Sequence, residues 1–95
     1  MILTPFTITF HADGDATQTV QLSSTGVPCS YVTLRAGADN GNDVLYGNSA
    51  AQVMPVKATD LPFTLPLSDL SLAYATGYDG DTLTVLPYWI PGAGM

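Results

Sequence analysis

The chain has no glutamate, one lysine and one arginine among its 95 residues, so several of the best helix-forming residues are scarce. All eight acidic residues are therefore aspartates, and the net charge is −6. This charge repels a phosphate backbone, and two cations can release few of its counterions. We expect no nucleic-acid partner. We also expect no membrane partner, since no run approaches the roughly 18 apolar residues of a spanning helix.

Side chains for catalysis are equally scarce. His11 is the only histidine and Cys29 the only cysteine, and no nucleophile motif surrounds either residue. A lone cysteine rules out an internal disulfide, and beside Pro28 it is expected to be a small buried hydrophobe. Paired-carboxylate chemistry would have to come from aspartates alone. We predict a protein that is not an enzyme, with no catalytic residue and no cofactor.

Aspartate, asparagine and glycine are concentrated in three short clusters, which contain six of the eight aspartates. The clusters are residues 13–15, 39–43 and 78–81. Aspartate and asparagine bond to their own backbone in tight turns, and glycine supplies positive φ, so we interpret all three as turns and predict no metal site. Calcium is the alternative, because it takes six to eight hard oxygen ligands from such loops. Residues 39–43 are the best candidate, although they lack the final bidentate glutamate of the known calcium loop.

Between these turns, apolar and polar residues alternate with the period of half-buried strands. Residues 6–10 and 17–22 are predicted to form a hairpin, and the Asp79-Gly80 pair predicts another before a strand at 81–86. The spacing predicts an all-β fold, a small β-sandwich or jelly-roll-like barrel of about seven or eight short antiparallel strands. The expected core comprises the apolar faces of these strands: Phe6, Ile8, Phe10, Val20, Leu22, Val32, Leu34, Leu83 and Val85.

The chain is more apolar than its size accommodates. It is 46% hydrophobic and 11% charged, against about 25% charged in ordinary soluble domains. We predict a single sandwich domain at residues 1–87 and an uncharged C-terminal arm at residues 88–95. Surplus apolar surface favours contact with a partner. The expected interface residues are aromatic or apolar: Tyr31, Tyr74, Tyr88, Trp89 and Ile90. Exposed tyrosines and Trp89 are also typical of a sugar-stacking platform, which stays open as an alternative.

The order of these signals resembles small virion proteins of tailed bacteriophages. An aromatic-threonine strand after a cysteine or small residue leads to an Asn-Gly loop and a Tyr-Gly pair, and a turn of the Leu-Pro-Leu-Ser-Asp-Leu type later precedes a tyrosine-containing strand and a Gly-Asp-Gly hairpin. The motifs in chain order are residues 29–36, 39–41, 46–48, 65–71, Tyr74 and 77–81. The likeness spans roughly residues 17–86, and its motifs are turn and core signals.

Within that group, a small acidic all-β chain resembles capsid decoration, or cement, proteins. The resemblance implies a structural protein on the outer surface of the phage head, where it binds the major capsid protein and bridges coat subunits, often as a homotrimer. Met1 to Pro5 lack the basic start and apolar core of a secretory signal. We therefore expect assembly in the host cytoplasm and residence in the virion. A tail, neck or baseplate component is the alternative, and a carbohydrate-binding β-sandwich module is the alternative from another class.

Overall fold

Two four-stranded antiparallel sheets make up the fold of the computed structural model, which describes residues 4–14, 16–57 and 62–89. The strands are β1 (Phe6–Thr9), β2 (Thr17–Gln21), β3 (Tyr31–Ala36), β4 (Val44–Gly47), β5 (Gln52–Val56), β6 (Phe63–Pro66), β7 (Tyr74–Tyr78) and β8 (Thr82–Tyr88). A single 3₁₀ turn, Leu70–Leu72, precedes β7. The first sheet has the order β1-β8-β3-β6 and the second the order β2-β7-β4-β5. The predicted all-β sandwich is confirmed.

The two predicted hairpins are wrong. β1 pairs with β8 and β2 pairs with β7, so both aspartate-rich turns carry the chain from one sheet to the other. Phe10 explains the first crossing, because it is fully buried where the chain leaves β1. Its N–H donates to the Asp81 carbonyl at 2.9 Å, and its carbonyl accepts from Gly80 N at 2.9 Å. The chain after β1 is thus bonded to the β7–β8 turn instead of folding back along β1.

The predicted core faces are confirmed. Six of the nine expected core residues are buried: Phe10, Leu22, Val32, Leu34, Leu83 and Val85. Phe6, Ile8 and Val20 pack against them but stay half-buried, because β1 and β2 are edge strands. Cys29 is buried at 1% exposure. The core also takes residues from outside the fully alternating stretches: Val44, Tyr46, Val56, Ala73 and Ala75.

The last strand crosses the predicted domain boundary by one residue. β8 ends at Tyr88, and Pro87 is buried within it. Residues 90–95, including Ile90, lie outside the described residues. The C-terminal arm therefore stays a prediction, and its earliest possible start is Trp89.

Candidate functional site

The three aspartate clusters meet at one end of the sandwich, which we call the acidic end (residues 11–14, 37–43 and 79–81). Ala12 N donates to Asp79 Oδ1 at 3.2 Å, and Gly41 N donates to Asp81 Oδ1 at 3.1 Å. The loops between β1 and β2, β3 and β4, and β7 and β8 are therefore joined by hydrogen bonds. Of the six aspartates in the described residues, this end holds all but Asp69.

An asparagine fixes the β3–β4 loop onto the start of β8. Asn40 Nδ2 donates to the Thr82 carbonyl at 2.9 Å, and Asn40 Oδ1 accepts from Thr82 N at 2.8 Å. Gly37 N donates to the same carbonyl at 3.0 Å. The side-chain amide thus bonds Thr82 as a neighbouring strand would, and it holds residues 37–43 beside Asp81.

Asp81 is the one buried carboxylate in the described part of the chain, with 5% of its surface exposed. Oδ1 accepts the bond from Gly41 N, whereas Oδ2 is buried and has no hydrogen-bond partner. The turn predicted at residues 78–81 does not by itself indicate a buried carboxylate. Asn40 accounts for the burial, because its two bonds to Thr82 hold the β3–β4 loop beside Asp81. Those bonds could not be deduced from sequence spacing.

The expected interface residues collect at the opposite end, which we call the aromatic end (Tyr31, Tyr74, Tyr88 and Trp89). Tyr31 and Tyr88 are directly opposite each other in the register of β3 and β8, on the outer face of the first sheet. Tyr74 begins β7 on the outer face of the second sheet, opposite Gln21 and Gly47. All four aromatic side chains are half-buried. The structure therefore brings Tyr31 and Tyr88 together and places Tyr74 on the other face.

An apolar groove of about 520 Å³ opens between the two sheets near the aromatic end. It is lined by Thr4, Phe6, Leu22, Ser23, Val27, Leu70 and Pro87. The volume lies within the range of small-ligand pockets, but none of these side chains is an acid or a base. The groove can hold an apolar group and offers two hydroxyls. It was not predicted, since it arises from the gap between edge strands of different sheets.

Asp69 positions part of the groove wall. Its Oδ1 accepts from Val27 N at 3.0 Å, Ser71 N at 2.9 Å and Ser71 Oγ at 2.8 Å, and so ties the loop before β3 to the 3₁₀ turn. The Ser71 backbone bond, followed by the bonds from Val27 N and Ser71 Oγ, lowers the pKa of this carboxyl. Burial, and to a lesser extent the Asp69 charge, raises the pKa of the nearby Cys29 thiol. Cys29 Sγ donates to the Leu67 carbonyl at 3.0 Å, as expected of a packed thiol.

The outer faces of both sheets are nearly free of charge. No aspartate lies within any of the eight strands, and Arg35 is their one charged residue. Threonine hydroxyls bond across strands instead, with Oγ1–Oγ1 distances of 3.2 Å for Thr7–Thr84, 2.8 Å for Thr19–Thr76 and 2.7 Å for Thr33–Thr64. These outer faces therefore carry small hydroxyl groups that are already held in place by hydrogen bonds to their cross-strand neighbours.

No three His, Cys or Asp side chains among residues 4–14, 16–57 and 62–89 are grouped so as to hold a metal ion. In the same part of the chain, no helix has the length and apolar character needed to cross a membrane.

Comparison of the chain with protein-family models, curated proteins and solved structures finds no match.

Proposed function

We propose that this chain is a non-catalytic capsid decoration protein, which binds the outer surface of a phage head and stabilises it by bridging coat subunits. The observation that carries the proposal is the separation of charge from the flat surfaces. Every described aspartate lies in a loop, while both sheets present threonine, tyrosine and leucine outward. The likeness of its motif order to phage virion proteins supplies the biological setting.

Neutral faces favour packing against another protein. Burying an unpaired carboxylate in an interface costs several kcal/mol, whereas a threonine already bonded to its neighbour loses less on leaving water. Interface cores are accordingly depleted of charged residues and enriched in tyrosine and tryptophan. The outer faces and the aromatic end match that composition. The acidic end suits solvent, and an outer protein never meets the packaged genome, so its charge is tolerated.

The experiment adds purified protein to heads of the encoding phage that were assembled without it. Thr7→Glu places a charge on the exposed outer face of the first sheet, and Thr19→Glu does the same on the second. Ala38→Glu adds the same charge to an exposed loop at the acidic end and serves as the control. We expect one face variant to bind heads at least tenfold more weakly, a difference of about 1.4 kcal/mol. Wild-type binding by both face variants would contradict the proposal.

A density map of the intact particle distinguishes this proposal from the alternative positions in the virion. Density at the tail, neck or baseplate would favour those alternatives. A carbohydrate-binding module is favoured by one observation, the side-by-side Tyr31 and Tyr88 on an outer face. If so, Tyr31→Ala should abolish glycan binding in solution without affecting attachment to heads.

A further inference from the structure

The buried oxygen of Asp81 points to a ligand that the chain does not supply. Oδ2 is inaccessible to solvent and has no hydrogen-bond partner, and only 5% of the residue's surface is exposed. Its sister atom Oδ1 accepts a hydrogen bond from Gly41 N, so the carboxyl group lies beside the β3–β4 loop. Asp39, Asn40, Asn42 and Asp43 belong to that same loop. An acidic cluster and an orphaned buried carboxylate oxygen therefore coincide.

Neither a proton nor a cationic side chain of this chain provides the buried Oδ2 with a partner. A proton on Oδ2 would be a donor with no acceptor in place, and a buried polar group without a partner destabilises the fold. The chain has two cationic side chains, Arg35 on the outer face of the first sheet and Lys57 after β5, and both are exposed. A buried carboxylate requires a counterion or further hydrogen bonds. The acidic end also concentrates negative charge, and the resulting negative electrostatic potential attracts small cations.

We propose that the acidic end binds one calcium ion, with Asp81 Oδ2 as the anchoring ligand. The remaining ligands are oxygens of residues 39–43 and water. The chemistry of the available donors selects the metal. They are carboxylate, amide and backbone carbonyl oxygens, which suit calcium, while zinc prefers thiolate and imidazole. Magnesium demands stricter octahedral geometry and gives up water reluctantly, so an irregular loop disfavours it.

The expected affinity is modest. Because no three acidic side chains are grouped at one point in the described residues, few carboxylates can ligate together. Sites with few charged ligands have dissociation constants of roughly 10⁻⁴–10⁻³ M. Calcium at this concentration would fasten the β3–β4 loop to the start of β8, so it should raise thermal stability. This inference is independent of the proposed function, because it concerns the isolated chain.

The test is a calcium titration of the full chain followed by thermal unfolding. At calcium about tenfold above the dissociation constant, one site should raise the melting temperature by roughly 5–10 °C beyond sodium chloride of equal ionic strength. Asp81→Asn keeps an oxygen to accept from Gly41 but removes the charge, and it should abolish the rise. Asp13→Asn removes an equal charge from an exposed position at the same end and should keep it.

A second measurement uses only the wild-type chain, in case Asp81→Asn does not fold. Calcium should shift the amide resonances of Gly41, Asn42 and Asp81 saturably, and more than those of Asp13 and Asp79. The proposal is overturned by no calcium-dependent stabilisation, by an equal effect of magnesium or of sodium chloride, by an equal rise in both variants, or by shifts spread evenly over the acidic end. The last three outcomes would indicate general charge screening.

Discussion

At the scale of single residues, position within a sheet decides how much a core side chain stabilises. Leu34 lies on central strand β3 with 0% exposure, opposite Val85 of β8. Ile8 is directed toward the same core but lies on edge strand β1 and is half-buried. Leu34→Ala should lower the free energy of unfolding by about 2–5 kcal/mol, a large part of a small domain's stability.

Ile8→Ala is the matched comparison in the same sheet and should cost clearly less, since less apolar surface leaves water there. Urea unfolding monitored by Trp89 fluorescence measures both. Equal losses would mean that the edge position of β1 does not limit its contribution.

Asp69 gives a residue-scale prediction about pH. Its folded-state pKa is lowered by the bonds from Ser71 and Val27, so the ionised form stabilises the fold. A lowered pKa contributes stability above the unfolded value, near 3.9, and that contribution is lost as pH falls through the folded pKa. Stability should thus decrease below about pH 4. Asp69→Asn should lower the melting temperature at pH 7 and flatten this acid decline.

Asp39→Asn, an exposed loop carboxylate, is the control for Asp69. Melting temperatures of the wild type and both variants, measured between pH 2 and 7, test whether Asp69 determines the acid decline. An acid limb of unchanged steepness in Asp69→Asn would show that other aspartates determine it.

At the scale of elements, alternation predicted which face of four strands is buried, but not which strand pairs with which. The period of two is local, so it identified the inward sides of β1, β2, β3 and β8 from the residues themselves. Turn chemistry indicates that the chain reverses and does not say into which sheet it goes. That choice is made by contacts distant in sequence, such as the bonds of Phe10 with Gly80 and Asp81.

Two of the prolines, by contrast, carried information about element position. Pro55 and Pro66 cannot donate a ladder hydrogen bond, which predicts edge strands, and β5 and β6 are edges of their sheets. The candidate sites were less predictable. The aspartate clusters and the aromatic residues could be identified in the sequence. That each set lies at one end of the sandwich follows from strand directions and from crossings between the sheets.

Gly77 of β7 has no room for a side chain beside the Phe10 ring. A Cβ added at Gly77 would lie 2.6 Å from Phe10 Cγ, well inside van der Waals contact. Gly77→Ala should therefore overpack the core and cost about 1–3 kcal/mol. Gly41→Ala is the control, because a Cβ there has no atom within 4 Å. Denaturant midpoints compare the two, and an equal effect would show that the Phe10 ring can move aside.

At the scale of the whole molecule, charge and aromatic surface lie at opposite ends. Acidic loops surround Asp81 at one end, while Tyr31, Tyr88 and the apolar groove occupy the other. An assembly using the aromatic end and the neutral faces would keep the repelling charges apart. Such an arrangement predicts association that depends little on salt, since screening acts mainly on exposed charges.

Self-association through the aromatic end is the last prediction. Trp89 follows β8 and is half-buried, so part of its surface is exposed to solvent. Deleting residues 90–95 leaves all eight strands intact, and Trp89→Ala removes the expected anchor. A tryptophan in an interface hot spot contributes about 2 kcal/mol or more, so Trp89→Ala should weaken homotrimers roughly 30-fold without unfolding the domain, and the deletion should weaken them as well. Tyr78→Ala, an aromatic change on β7 at the acidic end, is the control. Sedimentation at micromolar concentration measures association. A monomeric wild-type chain, or variants that associate as tightly as wild type, would leave contacts with the shell as the only source of assembly.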